Sequence, residues 1–211
     1  MIIKLRRFRE PAEAGAEVQA CQMCAESIEP EHRHVVDLES RALMCTCRGC
    51  CLLFLRPGAA RGRYRAVPDR YVYTPTFEIS AADWEELQIP VRMAFFFHNS
   101  SLGRSVAFYP GPGGATESEL PLDTWERVLA ANPRVADARP DVEALLVDRG
   151  PDGFGCYLVP IDACYELVGL LRLNWKGFTG GPEAWDALES YFGTLRGRCR
   201  ETTSGRIDDL E

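Results

Sequence analysis

The sequence predicts an α+β fold: an N-terminal, cysteine-built β module followed by a mainly antiparallel sheet with packed helices. Three observations predict it. Six of the nine cysteines fall between positions 21 and 51, as Cys21-Gln-Met-Cys24 and Cys45-Thr-Cys47-Arg-Gly-Cys50-Cys51. Downstream, strand-like segments arrive in pairs joined by short polar loops, as antiparallel hairpins do, with helix-like segments between the pairs. The last segment, Glu183 to Arg198, places Trp185, Leu188, Phe192 and Leu195 on one helical face behind Pro182, a first-turn proline.

In chain order, residues 1–20 read as a flexible leader, because Pro11 to Glu17 offers few groups to bury. The cysteine module spans 21–57. Between its knuckles, Val35 to Leu38 and Ala42 to Cys45 read as the strands of a hairpin turning near Glu39-Ser40-Arg41, the layout of a zinc ribbon. Leu52 to Leu55 reads as an apolar strand that docks the module on the body, and Arg56 to Gly62 as a breaker between the two.

The body spans 63–200. Tyr71 to Tyr73 and Phe77 to Ile79 are short strand candidates interrupted by Pro75. Ser80 caps a helix over Ala81 to Leu87, with Asp83 completing a variant capping box. Met93 to Phe97 and Ser105 to Tyr109 form one hairpin; Val142 to Val147 and Gly155 to Val159 form another. Asp123 caps a helix over Thr124 to Ala131. Leu167 to Lys176 is ambiguous, but Leu171-Arg-Leu-Asn-Trp-Lys176 alternates at period two and favours strand. Phe95, Phe96 and Phe97 cannot share one strand face, so at least one meets a second buried layer or a partner. The four tryptophans read as core. Residues 201–211 read as a frayed tail.

The chemistry lies in the knuckles. A Cys-x-x-Cys pair wraps one turn around a cation, and two pairs supply four thiolates in a tetrahedron, which suits zinc or a single iron. The best set is Cys21, Cys24, Cys47 and Cys50. The 22 residues between Cys24 and Cys47 slightly exceed the usual spacer of about 15–20, an excess a longer hairpin absorbs. Cys45 and Cys51 are surplus thiols, and either of them, or His32 or His34, is an alternative ligand. Four protein ligands close a site, which favours structure over catalysis. Iron is the alternative ion, as in a rubredoxin, although Ala25 and Cys51 stand where rubredoxin knuckles carry glycine.

The rest of the chain offers weaker chemistry. Pro110 to Ser118 is glycine-rich but lacks the lysine and the following helix of a phosphate loop, so it reads as a β-turn loop. His98 with Cys156 or Cys164 would be a nucleophile–base pair only if the fold joined them. Residues 1–70 carry a formal +3 and the remainder −10, giving the net −7; so acidic a body disfavours broad nucleic-acid contact. The basic start, with Arg6, Arg7 and Arg9, leaves a nucleic-acid-binding regulator as a lesser alternative. With no apolar run of about 18 residues and no signal-peptide pattern, the expectation is a cytoplasmic protein without a membrane span. Clustered cysteines there are metal ligands rather than disulfides.

Several of these stretches are similar to an uncharacterised bacterial zinc-ribbon-containing family often encoded beside [NiFe]-hydrogenase structural and maturation genes. They are Cys21 to Cys24, His34-Val-Val-Asp-Leu-Glu-Ser-Arg41, Cys45 to Cys50, Val106-Ala-Phe-Tyr-Pro110, Gly114-Ala-Thr-Glu-Ser118 and Val168 to Trp175. The resemblance implies an accessory role in hydrogenase assembly or electron supply and carries over no catalytic residue. The resulting expectation is a non-enzymatic, zinc-binding accessory or adaptor protein whose partner is a hydrogenase component or maturation factor. The alternative is a rubredoxin-like electron carrier.

Overall fold

Period-two alternation along the body strands divides their side chains between two apolar layers, and the fold follows from that division. The computed structural model describes residues 19–56, 58–111, 114–118, 122–150, 153–177 and 180–201. The leader up to residue 18 and the tail from residue 202 lie outside the described residues; Ala20 bridges Ser27.

Strands β1 (Arg33–Asp37), β2 (Ala42–Thr46) and β3 (Tyr64–Ala66) form a small antiparallel sheet in the order β2-β1-β3. The expected hairpin is present, with its first strand starting two residues earlier and ending one residue sooner and its second running one residue further, and β3 adds a third strand from beyond the breaker. A seven-stranded sheet forms the body. Its strands are β4 (Val72–Thr74), β5 (Met93–Asn99), β6 (Arg104–Gly111), β7 (Gly114–Ser118), β8 (Glu143–Gly150), β9 (Gly153–Pro160) and β10 (Arg200–Glu201), in the order β10-β4-β9-β8-β5-β6-β7. Every pairing is antiparallel except β10 with β4. The α+β class is as the sequence predicts. Within the segment read as a turn loop, Pro110 and Gly111 end β6 and Gly114 to Ser118 form β7, which pairs with it.

Cross-strand register explains the layers. Phe95 faces Leu146, which faces Tyr157, and all three enter one core. Their neighbours Phe96, Leu145 and Leu158 enter the other. Helices α4 (Ile161–Asn174) and α5 (Gly181–Arg198) cover the first face, through Cys164, Leu167, Leu171, Leu188, Phe192 and Leu195. Helices α2 (Ala81–Glu86) and α3 (Leu122–Ala131) cover the second, through Trp84, Trp125 and Val128. The phenylalanine run thus meets two internal layers, and Phe96 stacks on Trp125 at 3.9 Å between ring centroids.

Four local expectations are corrected. Leu171 to Asn174 belongs to helix α4, not to a strand, and Trp175 caps its C-terminal end. The apparent alternation fails because Leu173 is 86% exposed, whereas Cys164, Leu167 and Leu171 share a buried helical face. Phe77 to Ile79 forms no strand, and Asp123 lies within the first turn of α3 rather than before it. Leu52 to Leu55 is not a docking strand either. Helix α1 (Arg48–Leu52) runs into a turn there and leaves Leu52, Leu53 and Leu55 exposed. The small sheet docks instead through Val36, Leu38 and Leu43, with Val67 beyond β3, on the α4 side of the body. Ser80 and Asp83 do form a reciprocal capping box on α2.

Candidate metal centre

Two turns of different construction bring the four cysteines together. In the first, the Ala25 amide donates to the Cys21 carbonyl at 2.8 Å and Ala25 takes a left-handed φ of 62°. An alanine in that conformation costs roughly 1–2 kcal/mol, so the closed turn is held from outside. Gln22 supplies the hold, because its amide donates to the Cys45 carbonyl at 2.9 Å and its side-chain oxygen accepts from the Cys45 amide at 2.6 Å. The first knuckle is thereby pinned to β2. In the second, Cys47 caps α1 and its sulfur accepts from the Cys50 amide at 3.4 Å, which places Cys47 and Cys50 on one helical turn.

The sulfur atoms of Cys21, Cys24, Cys47 and Cys50 all lie within 4.8 Å of one another, and those of Cys24 and Cys47 are 3.7 Å apart. Tetrahedral coordination with metal–sulfur bonds of about 2.3 Å requires sulfur–sulfur edges of about 3.8 Å. The four residues fit a metal ion. Cys21 is buried, Cys24 exposed, and Cys47 and Cys50 half-buried.

Electrostatics point the same way. Burial raises the Cys21 thiol, but hydrogen bonds from the backbone of Cys47, Met23 and Cys24 outweigh it and bring it down to about 6. Cys50 is pushed the other way, first by its hydrogen bonds with the Cys24 and Cys47 side chains. One thiolate is favoured while the next is opposed, and a bound cation removes that opposition.

The surplus donors do not join this set. Cys51 turns inward, with its sulfur 3.8 Å from the His34 carbonyl and its thiol raised by burial. His32, His34 and Cys45 gather into a second group, their donor atoms also within 4.8 Å of one another. That grouping has no local sequence signature beyond the i, i+2 spacing of the histidines.

A match to a family of unknown function, DUF5947, covers residues 20–199. The chain belongs to the DUF5947 family. No curated protein matches it, and no solved structure does.

Elsewhere in this DUF5947 chain, the nucleophile–base candidates are not brought together. His98 is exposed on β5, whereas Cys156 and Cys164 are fully buried in cores on opposite faces of the sheet. Burial pushes both thiols well up, so neither is an activated thiolate. Among the described residues no helix is long and apolar enough to cross a membrane.

Proposed function

We propose that this DUF5947 chain is a non-enzymatic, metal-binding accessory or adaptor protein whose zinc-ribbon-like module contacts a protein partner. The closed four-thiolate set of Cys21, Cys24, Cys47 and Cys50 supports a structural ion, because four protein ligands leave no position for substrate. Zinc is the ion proposed, since Ala25 and Cys51 replace the glycines of a rubredoxin-like iron knuckle.

One observation carries the adaptor reading. Directly behind the second knuckle, Leu52, Leu53 and Leu55 stand 53%, 67% and 59% exposed. Clustered exposed leucines are costly unless something covers them, and these follow the second knuckle at and just beyond the end of α1. The partner class proposed is a hydrogenase component or maturation factor, on the strength of the resemblance alone.

The test is anaerobic affinity purification from the native cell, with metal analysis and mass spectrometry of what co-purifies. The expected result is colourless protein with at least one zinc per chain and a hydrogenase component or maturation factor, lost when Leu52, Leu53 and Leu55 are changed to serine. A red oxidised protein with thiolate-to-iron charge-transfer bands would overturn the zinc reading. Partner capture indifferent to the leucines would overturn the proposed contact surface.

A further inference from the structure

Strand geometry builds a second donor set on the body-facing side of the small hairpin. His32 lies just before β1 with its ring against that of His34, and Cys45 lies directly across from His34 in the β1–β2 register. The donor atoms of the three lie within 4.8 Å of one another, and the imidazole centroids are 4.7 Å apart.

Hydrogen bonding fixes which nitrogen each ring offers. His32 Nδ1 lies 2.9 Å from the Glu29 carbonyl oxygen and 3.0 Å from that of Pro30. Carbonyl oxygens only accept, so this nitrogen carries the proton and Nε2 keeps its lone pair. That Nε2 is buried and has no hydrogen-bond partner. A buried nitrogen lone pair without a donor is costly, and a cation would satisfy it. His34 is arranged the same way, since its Nδ1 lies 2.8 Å from an Asp162 carboxylate oxygen in the first turn of α4. A carboxylate behind Nδ1 is the support that metal-binding imidazoles commonly have; it fixes the tautomer and strengthens Nε2 as a donor.

We infer that His32, His34 and Cys45 form a second transition-metal site, separate from the four-cysteine centre and oriented by Asp162. Two imidazoles and one thiolate select a borderline or soft late first-row ion such as zinc over calcium or magnesium. Three protein ligands leave the fourth position to an exchangeable ligand. His32 and His34 line a cavity of about 560 Å³ between the small sheet and the body, with Arg33, Arg48 and Tyr71 also on its wall. Tetrahedral donors sit roughly 3.3–3.8 Å apart, so a small side-chain adjustment closes the set on an ion.

The experiment is zinc and cobalt stoichiometry on the full chain after dialysis against a weak chelator. Two ions per chain are expected for the wild type, and one for the H32A/H34A double variant and for Cys45→Ser. Cobalt-loaded wild type is expected to show a second thiolate charge-transfer component that C45S lacks. Asp162→Asn is expected to weaken the second ion 10–100-fold while leaving the first in place. Two ions retained by the double variant would overturn the site. So would a single ion in the wild type that survives H32A/H34A and is lost from Cys24→Ser. The converse, one ion lost from H32A/H34A and kept by C24S, supports this site and removes the four-cysteine reading. Circular dichroism matching the wild type confirms that each variant has folded.

Discussion

Asp162, in the first turn of α4, reaches across 128 positions of sequence to place a carboxylate oxygen 2.8 Å from Nδ1 of His34 on β1. Its other oxygen accepts from the Ala163 amide at 2.9 Å, so one side chain both steadies the start of a core helix and holds the small sheet. The pair is three-quarters or more buried. Asp162→Ala is therefore expected to lower the unfolding free energy by about 1–3 kcal/mol, the usual cost of stranding a partner in a part-buried hydrogen bond. Asp162→Asn keeps an oxygen acceptor and should lose less. Urea unfolding at saturating zinc separates the two, and equal losses would mean that the charge rather than the bond matters.

Glu143 is the most deeply buried charge described, with no exposed side-chain surface. Arg70 meets it with two nitrogens, at 2.8 and 2.6 Å, and the Arg139 amide donates to it at 2.7 Å. Removing one partner of such a pair leaves an uncompensated buried charge and typically costs 3–5 kcal/mol, whereas replacing both by apolar groups costs far less. Arg70→Met should accordingly destabilise the chain by about 3–5 kcal/mol. The Arg70→Met, Glu143→Met double variant should recover part of that loss. A double variant as unstable as the sum of the two singles would contradict the pairing.

Acid should act at the hairpin. Arg63 lies beside Asp37 at the end of β1, with contacts of 2.7 and 3.2 Å, and its hydrogen bonds hold the carboxyl down at about 2 against the opposing effect of burial. The backbone amides of Glu39 and Ser40 also donate to Asp37. The folded state therefore binds this proton less readily than the unfolded chain, whose aspartate titrates near 3.9. The stability it contributes is complete above about pH 4 and disappears as pH falls toward 2. Asp37→Asn should be less stable than the wild type at pH 6, and the gap should close between about pH 4 and 2. Any ion is lost from both proteins alike, so the difference in urea midpoint isolates Asp37. A gap independent of pH would refute the assignment.

These contacts show which parts of the molecule were legible beforehand. The four thiols were, because Cys-x-x-Cys spacing is a local property and the sulfur geometry obeys it. The β5–β6 and β8–β9 hairpins were too, because alternation persists over entire strands. Helix α4 was not: a solvent-exposed Leu173 between Leu171 and Trp175 imitates period two, and only the packing against α5 and the sheet shows which of the three is buried. Leu52 to Leu55 misled for a related reason, since apolar composition does not say which side faces water. His34 with Asp162, and His32 with His34 and Cys45, depend on tertiary placement that no single segment encodes.

The small sheet has few large buried side chains of its own, chiefly Val35 and Val36, so its order should depend on the ion. Binding of a structural zinc contributes about 10–16 kcal/mol in comparable small sites, more than two valines and a short hairpin supply. The seven-stranded sheet should depend on the ion far less, because its two cores close mainly on α2, α3, α4 and α5, with Val36, Leu38 and Leu43 of the small hairpin added to one of them. A strong chelator, or Cys47→Ser, should therefore release the knuckles and β1–β3 while the body stays folded. Hydrogen exchange reads this directly. Amides of β1 and β2 should lose protection roughly a thousandfold or more, the equivalent of about 4 kcal/mol, while those of β8 and β9 keep theirs. Loss of protection in both sheets together would show that the body also needs the ion. Unchanged protection in β1 and β2 would show that the hairpin stands on its docked valines and leucines alone.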